Sequence, residues 1–305
     1  MKSIILTVLL FSIVTKAQNF VIPLWNSNMP NYQEVGEVEL LKSESSTEHH
    51  KLVTKPDISV FLPSKNNRTG QAVLVIPGGG YHAIACIKEG DDIAKWLNSN
   101  GIVGIVLKYR LPNAKSNIIS HKSPLLDASR AIKIVKEHAE EWQIDKNNIG
   151  VMGFSAGGHL ASTLGTHYDK DMNSQLDRID SISSRPDFMV LMYPVVTMNE
   201  RFTHMGSRNN LLGTNPSPEL VDYYSNEKQI SVNTPPTFIV HSSDDDVVLV
   251  ENSTAFYKAL QEKNIDSEMH IFQYGGHGFA LANGKGYLEL WKSICIAWLK
   301  NIKHE

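Results

Sequence analysis

Cysteine is all but missing, with Cys86 and Cys295 the only two in 305 residues. Two thiols, neither in a Cys-x-x-Cys pair, exclude a disulfide framework and a zinc site built from cysteine alone. Both read as small buried apolar residues. An excess of one charge is lacking too: 29 Lys and Arg stand against 32 Asp and Glu, for a formal net charge of -3. No run of five like charges occurs, so the basic footprint that nucleic acid requires has no support. After the first 17 residues no apolar stretch approaches the roughly 20 residues that cross a bilayer, so no membrane span is expected in the mature chain. Neither G-x-G-x-x-G nor the P-loop pattern is present, and the acids lack the alternation and central Gly of an EF-hand loop. No metal or organic cofactor is implied.

A composition of 42% hydrophobic and 20% charged residues is enough to bury a sizeable core. The first residues carry Lys2, an apolar stretch over 4–14 and then Thr15-Lys16-Ala17, which is the layout of a signal peptide over 1–17. Cleavage after Ala17 and export to the periplasm or medium are expected, leaving 18–305 as a single domain. From Asp57 onward, short runs rich in Val and Ile alternate with amphipathic stretches, the signature of βα repetition around a mostly parallel sheet. Strands are predicted over 72–76, 102–107, 149–152, 188–192 and 237–241, with 58–62 and 268–272 as companions. Helices are predicted over 91–98, 124–142, 159–165, 250–263 and 287–302. Residues 198–233 break this rhythm, being rich in Asn, Ser, Pro and Met without a clean period. They read as a lid-like insertion, since long irregular insertions in compact domains tend to serve a site.

The sharpest motif is Gly153-Phe154-Ser155-Ala156-Gly157, directly after the strand over 149–152 and directly before a helix-forming run. This is the G-x-S-x-G nucleophile elbow in its required context. A tight strand-to-helix turn forces Ser155 into a strained backbone, and small neighbours at 153 and 157 allow the close approach. A second motif, Pro77-Gly78-Gly79-Gly80-Tyr81, ends the strand over 72–76. The amides of Gly79 and Gly80, with that of Ala156, are suited to receive the negative oxygen of a tetrahedral intermediate. A serine nucleophile needs a base, and the base an orienting carboxylate, in the chain order Ser, Asp or Glu, His. His241-Ser242-Ser243-Asp244-Asp245-Asp246 places three acids at the carboxyl edge of the sheet, where ligands bind. Any one of them satisfies this order. Gly275-Gly276-His277-Gly278 follows the next strand, and its glycines suggest a loop free to bring His277 to Ser155.

These residues resemble the α/β-hydrolase superfamily and, within it, small bacterial carbohydrate esterases of the acetylxylan esterase and feruloyl esterase type. The likeness takes in Leu24-Trp25, the Gly-rich loop, Tyr109-Arg110-Leu111, Asp127, the elbow through His159, residues 206–213, Asp244-Asp245 and residues 275–279. It implies an α/β-hydrolase fold, and it selects Asp245, four residues after His241 and three before Val248. Leu249 departs from the Pro often found after that Val. The implied function is a secreted serine esterase that uses Ser155, Asp245 and His277 to remove acetyl groups from plant cell-wall polysaccharide, with no cofactor. A feruloyl esterase is the nearest alternative. A serine exopeptidase of the prolyl oligopeptidase type shares the triad order but usually carries a large extra domain. A binding module on a dead hydrolase would normally lack a triad member.

Overall fold

A computed structural model describes residues 19–26, 28–44, 47–168 and 177–302. The expected leader over 1–17 lies outside the described residues. Along the chain come β1 (Asn19–Pro23), the hairpin of β2 (Leu40–Glu44) and β3 (Thr47–Leu52), β4 (Asp57–Phe61) and β5 (Ala72–Ile76). The βα rhythm then runs through α1 (Asp92–Ser99), β6 (Val103–Lys108), α2 (Ser123–Glu137), the single turn α3 (Ala139–Trp142), β7 (Ile149–Phe154), α4 (Ala156–His167) and β8 (Met189–Met192). It ends with α5 (Met205–Leu212), α6 (Pro218–Tyr224), β9 (Thr237–Ser242), α7 (Glu251–Glu262), β10 (Ser267–Phe272) and α8 (Leu290–Asn301). The main sheet has eight strands in the order β1-β4-β6-β5-β7-β8-β9-β10. From β6 to β10 the neighbours are parallel, and β4 is antiparallel to both β1 and β6.

The predicted strands end within two residues of the observed ones, and the central ones are apolar runs covered on both faces, while the edge strand β10 is only partly buried. Alternate residues divide between two layers. Leu74, Ile76, Ile105, Val151, Leu191 and Ile239 pack under α2, α4 and α7. Val73, Val75, Val106, Met152, Val190 and Phe238 pack on the other face with α1 and α8. The predicted helix over 124–142 is divided at His138, where the backbone leaves helical geometry (ψ 6°). Neither cysteine is in a disulfide: Cys295 is buried and Cys86 partly so.

The insertion over 198–233 is folded. Two short helices are started by local caps: the His204 side chain accepts from Ser207 N–H, and Ser217 accepts from Leu220 N–H ahead of Pro218. Ser before Pro at the first helical position is a start signal, but seven or eight residues are too few to display a helical period. Leu211, Leu212, Tyr224 and Ile230 are buried in the same core as α2 and α4.

A buried ion pair ties the start of the chain to this frame. Arg110 donates through Nε and Nη2 to Asp127 on α2, at 2.8 to 3.2 Å. Both side chains are fully buried. Asp127 also accepts from Arg110 N–H at 2.9 Å and from Trp25 Nε1 at 2.9 Å. Next to Arg110, the Tyr109 hydroxyl donates to Pro77 O at 3.0 Å, propping the base of the Gly-rich loop. Removing one partner strands the other charge in the interior, so Asp127→Asn is expected to lower unfolding free energy by about 3 to 5 kcal/mol. Chemical denaturation measures this, and a loss below about 1 kcal/mol would show that the pair bears little of the fold's stability.

Candidate active site

At the carboxyl end of β7 the chain turns into α4 at one residue, Ser155, whose φ of 52° and ψ of -119° are unusual for any side-chain-bearing residue. Such a conformation costs of order 1 to 3 kcal/mol and persists only where the surroundings dictate it. They do so here. Ser155 N–H donates to Met192 O at 3.0 Å, and Ser155 O accepts from Val195 N–H at 3.0 Å and His159 N–H at 3.1 Å. A Cβ at Gly157 would lie 2.1 Å from Ile76 O, and one at Gly153 would lie 2.3 Å from Gly157 O. Only glycine fits these contacts, which seat α4 directly against the end of β5.

Three side chains from separate loops meet above this turn. Ser155 Oγ lies 2.9 Å from His277 Nε2, and His277 Nδ1 lies 2.7 Å from Asp245 Oδ2. The Asp245 side chain is fully buried while the His277 ring stays 19% exposed. Asp245 Oδ1 accepts from Val247 N–H at 3.0 Å and Val248 N–H at 2.9 Å. Burial alone would raise the Asp245 pKa, but hydrogen bonds from His241 and His277, then from Val248 N–H, hold the carboxyl well below the usual carboxylate range. An ionised Asp245 keeps the proton of His277 on Nδ1, leaving Nε2 to accept from the Ser155 hydroxyl.

His241 is a member of the site that the sequence reading used only as a landmark. Its Nε2 lies 3.2 Å from Asp245 Oδ2 and 2.9 Å from Val248 O, and its Nδ1 lies 2.7 Å from Ser253 Oγ. The other two acids stay outside the array. Asp246 is exposed. Asp244 Oδ1 accepts from Gly275 N–H and Gly276 N–H, both at 2.8 Å.

The loop around His277 is pinned rather than free, contrary to the reading of its glycines. Ser242 Oγ donates to Gly276 O at 2.8 Å, Lys285 Nζ to Gly275 O at 2.8 Å and Lys88 Nζ to Gly278 O at 2.6 Å. The glycines there serve a tight path, and the polar anchors of the loop come from distant segments.

Beside Ser155, the Gly-rich loop turns sharply at Gly79 (φ 130°), where a Cβ would lie 2.1 Å from Ala83 O. Among the described residues, the N–H groups of Gly79, Gly80 and Ala156 donate to no protein acceptor. The loop is held by its other atoms. Gly78 N–H donates to Glu89 Oε2 at 2.9 Å, and Asn210 Nδ2 on α5 donates to Gly80 O at 2.8 Å. Buried Glu89 accepts a second bond at Oε1 from the Tyr193 hydroxyl, 2.9 Å away. That hydroxyl accepts in turn from Ala280 N–H at 3.0 Å. The Tyr193 ring meets the His277 ring edge-on at 5.0 Å. Glu89 and Tyr193 carry no local sequence signal, since the bond that joins them spans 104 residues.

His159, two residues past the elbow's last glycine, is structural. Its Nε2 lies 2.8 Å from Tyr224 O and its Nδ1 2.8 Å from the Tyr81 hydroxyl. Nε2–H therefore donates to the carbonyl and Nδ1 accepts from Tyr81. Burial pushes its pKa down to about 4. An unfolded chain would protonate this residue near pH 6.5, while the folded one stays neutral, so its stabilising contribution is full above about 6.5 and is lost as pH falls toward 4. Between pH 7 and pH 5 wild type is expected to lose about 2 kcal/mol more unfolding free energy than His159→Gln. Equal pH slopes for the two proteins in denaturant titrations would contradict a neutral, buried His159.

The BD-FAE family profile matches residues 58–260. The chain is 42% identical over 228 residues to an endo-1,4-beta-xylanase B of Butyrivibrio fibrisolvens, covering 75% of this chain and 35% of that protein. It is 34% identical over 252 residues to an acetylxylan esterase of Xylanibacter ruminicola, covering 81% of this chain and 48% of that protein. It thus spans less than half the length of both. An acetyl ester-xyloside bifunctional hydrolase of Caldicellulosiruptor lactoaceticus superposes with a TM-score of 0.81 at 38% identity, covering 95% of this chain and 98% of that one. With a mostly parallel eight-stranded sheet between two helical layers, an elbow at the end of β7, and a profile match from β4 into α7, the chain has the α/β-hydrolase fold and belongs to the BD-FAE family.

Proposed function

We propose that this protein is an exported serine carboxylesterase that removes acetyl groups from plant cell-wall polysaccharide, xylan first. The observation that carries the reading is the continuous hydrogen-bonded array Ser155 Oγ, His277 and Asp245, at 2.9 and 2.7 Å, beside three amides with no protein acceptor among the described residues. In this reading His277 Nε2 takes the Ser155 hydroxyl proton as Oγ attacks the ester carbonyl. The carbonyl oxygen becomes negative and is received by the N–H groups of Gly79, Gly80 and Ala156. His277 then gives its proton to the departing sugar oxygen, leaving an acyl-Ser155 that water hydrolyses by the same steps in reverse. Asp245 keeps the imidazole tautomer and stabilises its cation. Acetyl esters on xylan are favoured by two relatives, the acetylxylan esterase of Xylanibacter ruminicola and the acetyl ester-xyloside hydrolase of Caldicellulosiruptor lactoaceticus. Export follows from the leader expected over 1–17.

The test is kinetic. Ser155→Ala is expected to lower kcat on acetylated xylan by roughly 10⁴ to 10⁶ with the fold intact by circular dichroism. Retention of more than about a tenth of wild-type kcat would remove Ser155 as nucleophile. Among the acids, Asp245→Asn is expected to cost about 10³ to 10⁴ in kcat. Asp244→Asn still offers an oxygen to the Gly275 and Gly276 amides and is expected to stay within about tenfold of wild type. A larger loss for Asp244→Asn than for Asp245→Asn would reverse their roles. Turnover of methyl ferulate faster than of acetylated xylan, compared as kcat/KM, would move the acyl specificity to a feruloyl esterase.

A further inference from the structure

The residue that caps α5 has a second face. His204 Nδ1 lies 3.2 Å from Ser207 N and 2.8 Å from Ser207 Oγ. Since Nδ1 accepts the cap bond, the ring proton sits on Nε2. Among the described residues that Nε2–H meets no protein acceptor, and the ring is only half-buried. The ring folds back over the first turn of α5, where a Cβ at Gly206 would lie 3.0 Å from its Cε1. From there its Cε1 lies 3.8 Å from where a Cβ at Gly80 would stand. Four residues beyond Gly206 on α5, Asn210 Nδ2 donates to Gly80 O at 2.8 Å and fixes the helix to the Gly-rich loop. The imidazole is also near enough to the array for His277 and Asp245 to act on its charge, although burial is the main cause of its lowered pKa.

We infer that His204 is a substrate-contacting residue, its Nε2–H donating to a sugar hydroxyl next to the ester that Ser155 attacks. The inference rests on the esterase reading above and assigns the leaving-group side of that site. The oxyanion is received at Gly80, and the departing oxygen lies at His277. A ring beside Gly80 and near enough to His277 to feel its charge therefore borders both the oxyanion and the leaving oxygen. On an acetylated sugar ring the nearest acceptor in that direction is the neighbouring hydroxyl. The insertion thus does two things at once: Asn210 sets the height of the Gly-rich loop, and His204 reads the alcohol.

Substitution separates the capping role from the binding role. His204→Asn keeps a good N-cap while removing the ring's Nε2–H, whereas His204→Ala removes both. The measured quantity is the ratio of kcat/KM on a partially acetylated xylo-oligosaccharide to that on 4-nitrophenyl acetate, which has no hydroxyl beside its ester. For His204→Asn this ratio is expected to fall by about tenfold, chiefly through KM on the oligosaccharide. In the Ser155→Ala background, His204→Asn is expected to weaken the calorimetric Kd for the same oligosaccharide by a similar factor. A ratio and a Kd within about twofold of the parent proteins would overturn the assignment, as would equal losses on both esters, which would put His204 on the oxyanion. Wild-type turnover of 4-nitrophenyl acetate in the same assay tests the esterase reading separately.

Discussion

The contact of Gly157 with the carbonyls of Ile76 and Pro77, where no Cβ fits, is the constraint on which the site depends. It brings the first turn of α4 flush with the end of β5, so that the helix amide at Ala156 and the turn at Gly79 share one small space. With those two backbones in register, Ser155 is forced into its unusual conformation and its hydroxyl stands clear of the sheet. The cost of that turn is offset by the surrounding strands, because Met192 and Val195 bind both polar atoms of the Ser155 backbone. Strain of this sort is held by packing on every side, and here that packing is the centre of an eight-stranded sheet.

Around the constraint lies a set of buried polar groups whose partners are nearly all accounted for. Glu89 bridges the Gly-rich loop to Tyr193, Tyr193 reaches Ala280 next to the His277 loop, and His159 joins Tyr81 to Tyr224. Each link leaves water only because another polar group replaces it, so the network gains geometric definition at little net stability. Asp245 illustrates the balance. Its burial opposes ionisation, and its bonds to His241 and His277 overcome that opposition. The same pattern reaches the start of the chain, where Trp25, Arg110 and Asp127 form one cluster and Tyr109 carries its position to Pro77.

Much of this was legible in the sequence, for stated reasons. The central parallel strands announce themselves because apolar runs buried on two faces have few other uses, and the elbow does so because its glycines answer to a steric demand. The hairpin of β2 and β3 and the edge strand β1 were not legible, since their mixed composition matches no buried period. The helices α5 and α6 escaped for want of length. Within the site, Ser155 and His277 stand out by motif and order. Adjacent acids could be separated only by family register, and the structure puts Asp245 against the imidazole and Asp244 on the loop amides. Glu89, Tyr193 and His204 were invisible because each has a partner or neighbour far off in the chain, and one ring nitrogen of His204 meets no protein acceptor among the described residues. The glycines beside His277 were misread as slack, since lysines and a serine from other segments restrain the loop.

The spacing of the array along the chain has a bearing on the order in which its parts come together. Ser155 and His277 are 122 residues apart, and Asp245 and His277 are 32 apart. His277 follows β10, which hydrogen-bonds to β9 alone and closes one border of the sheet. In a chain emerging amino end first, β5 through β8 can assemble the elbow and its neighbouring amides while the His277 loop is still unmade. β10 pairs with β9 at a separation of 30 residues, with α7 between them, so its docking waits on that crossover. Until β10 is in place, a nascent chain can hold Ser155 in its turn without the imidazole that the folded protein brings to 2.9 Å from its hydroxyl, so the array closes only with that strand.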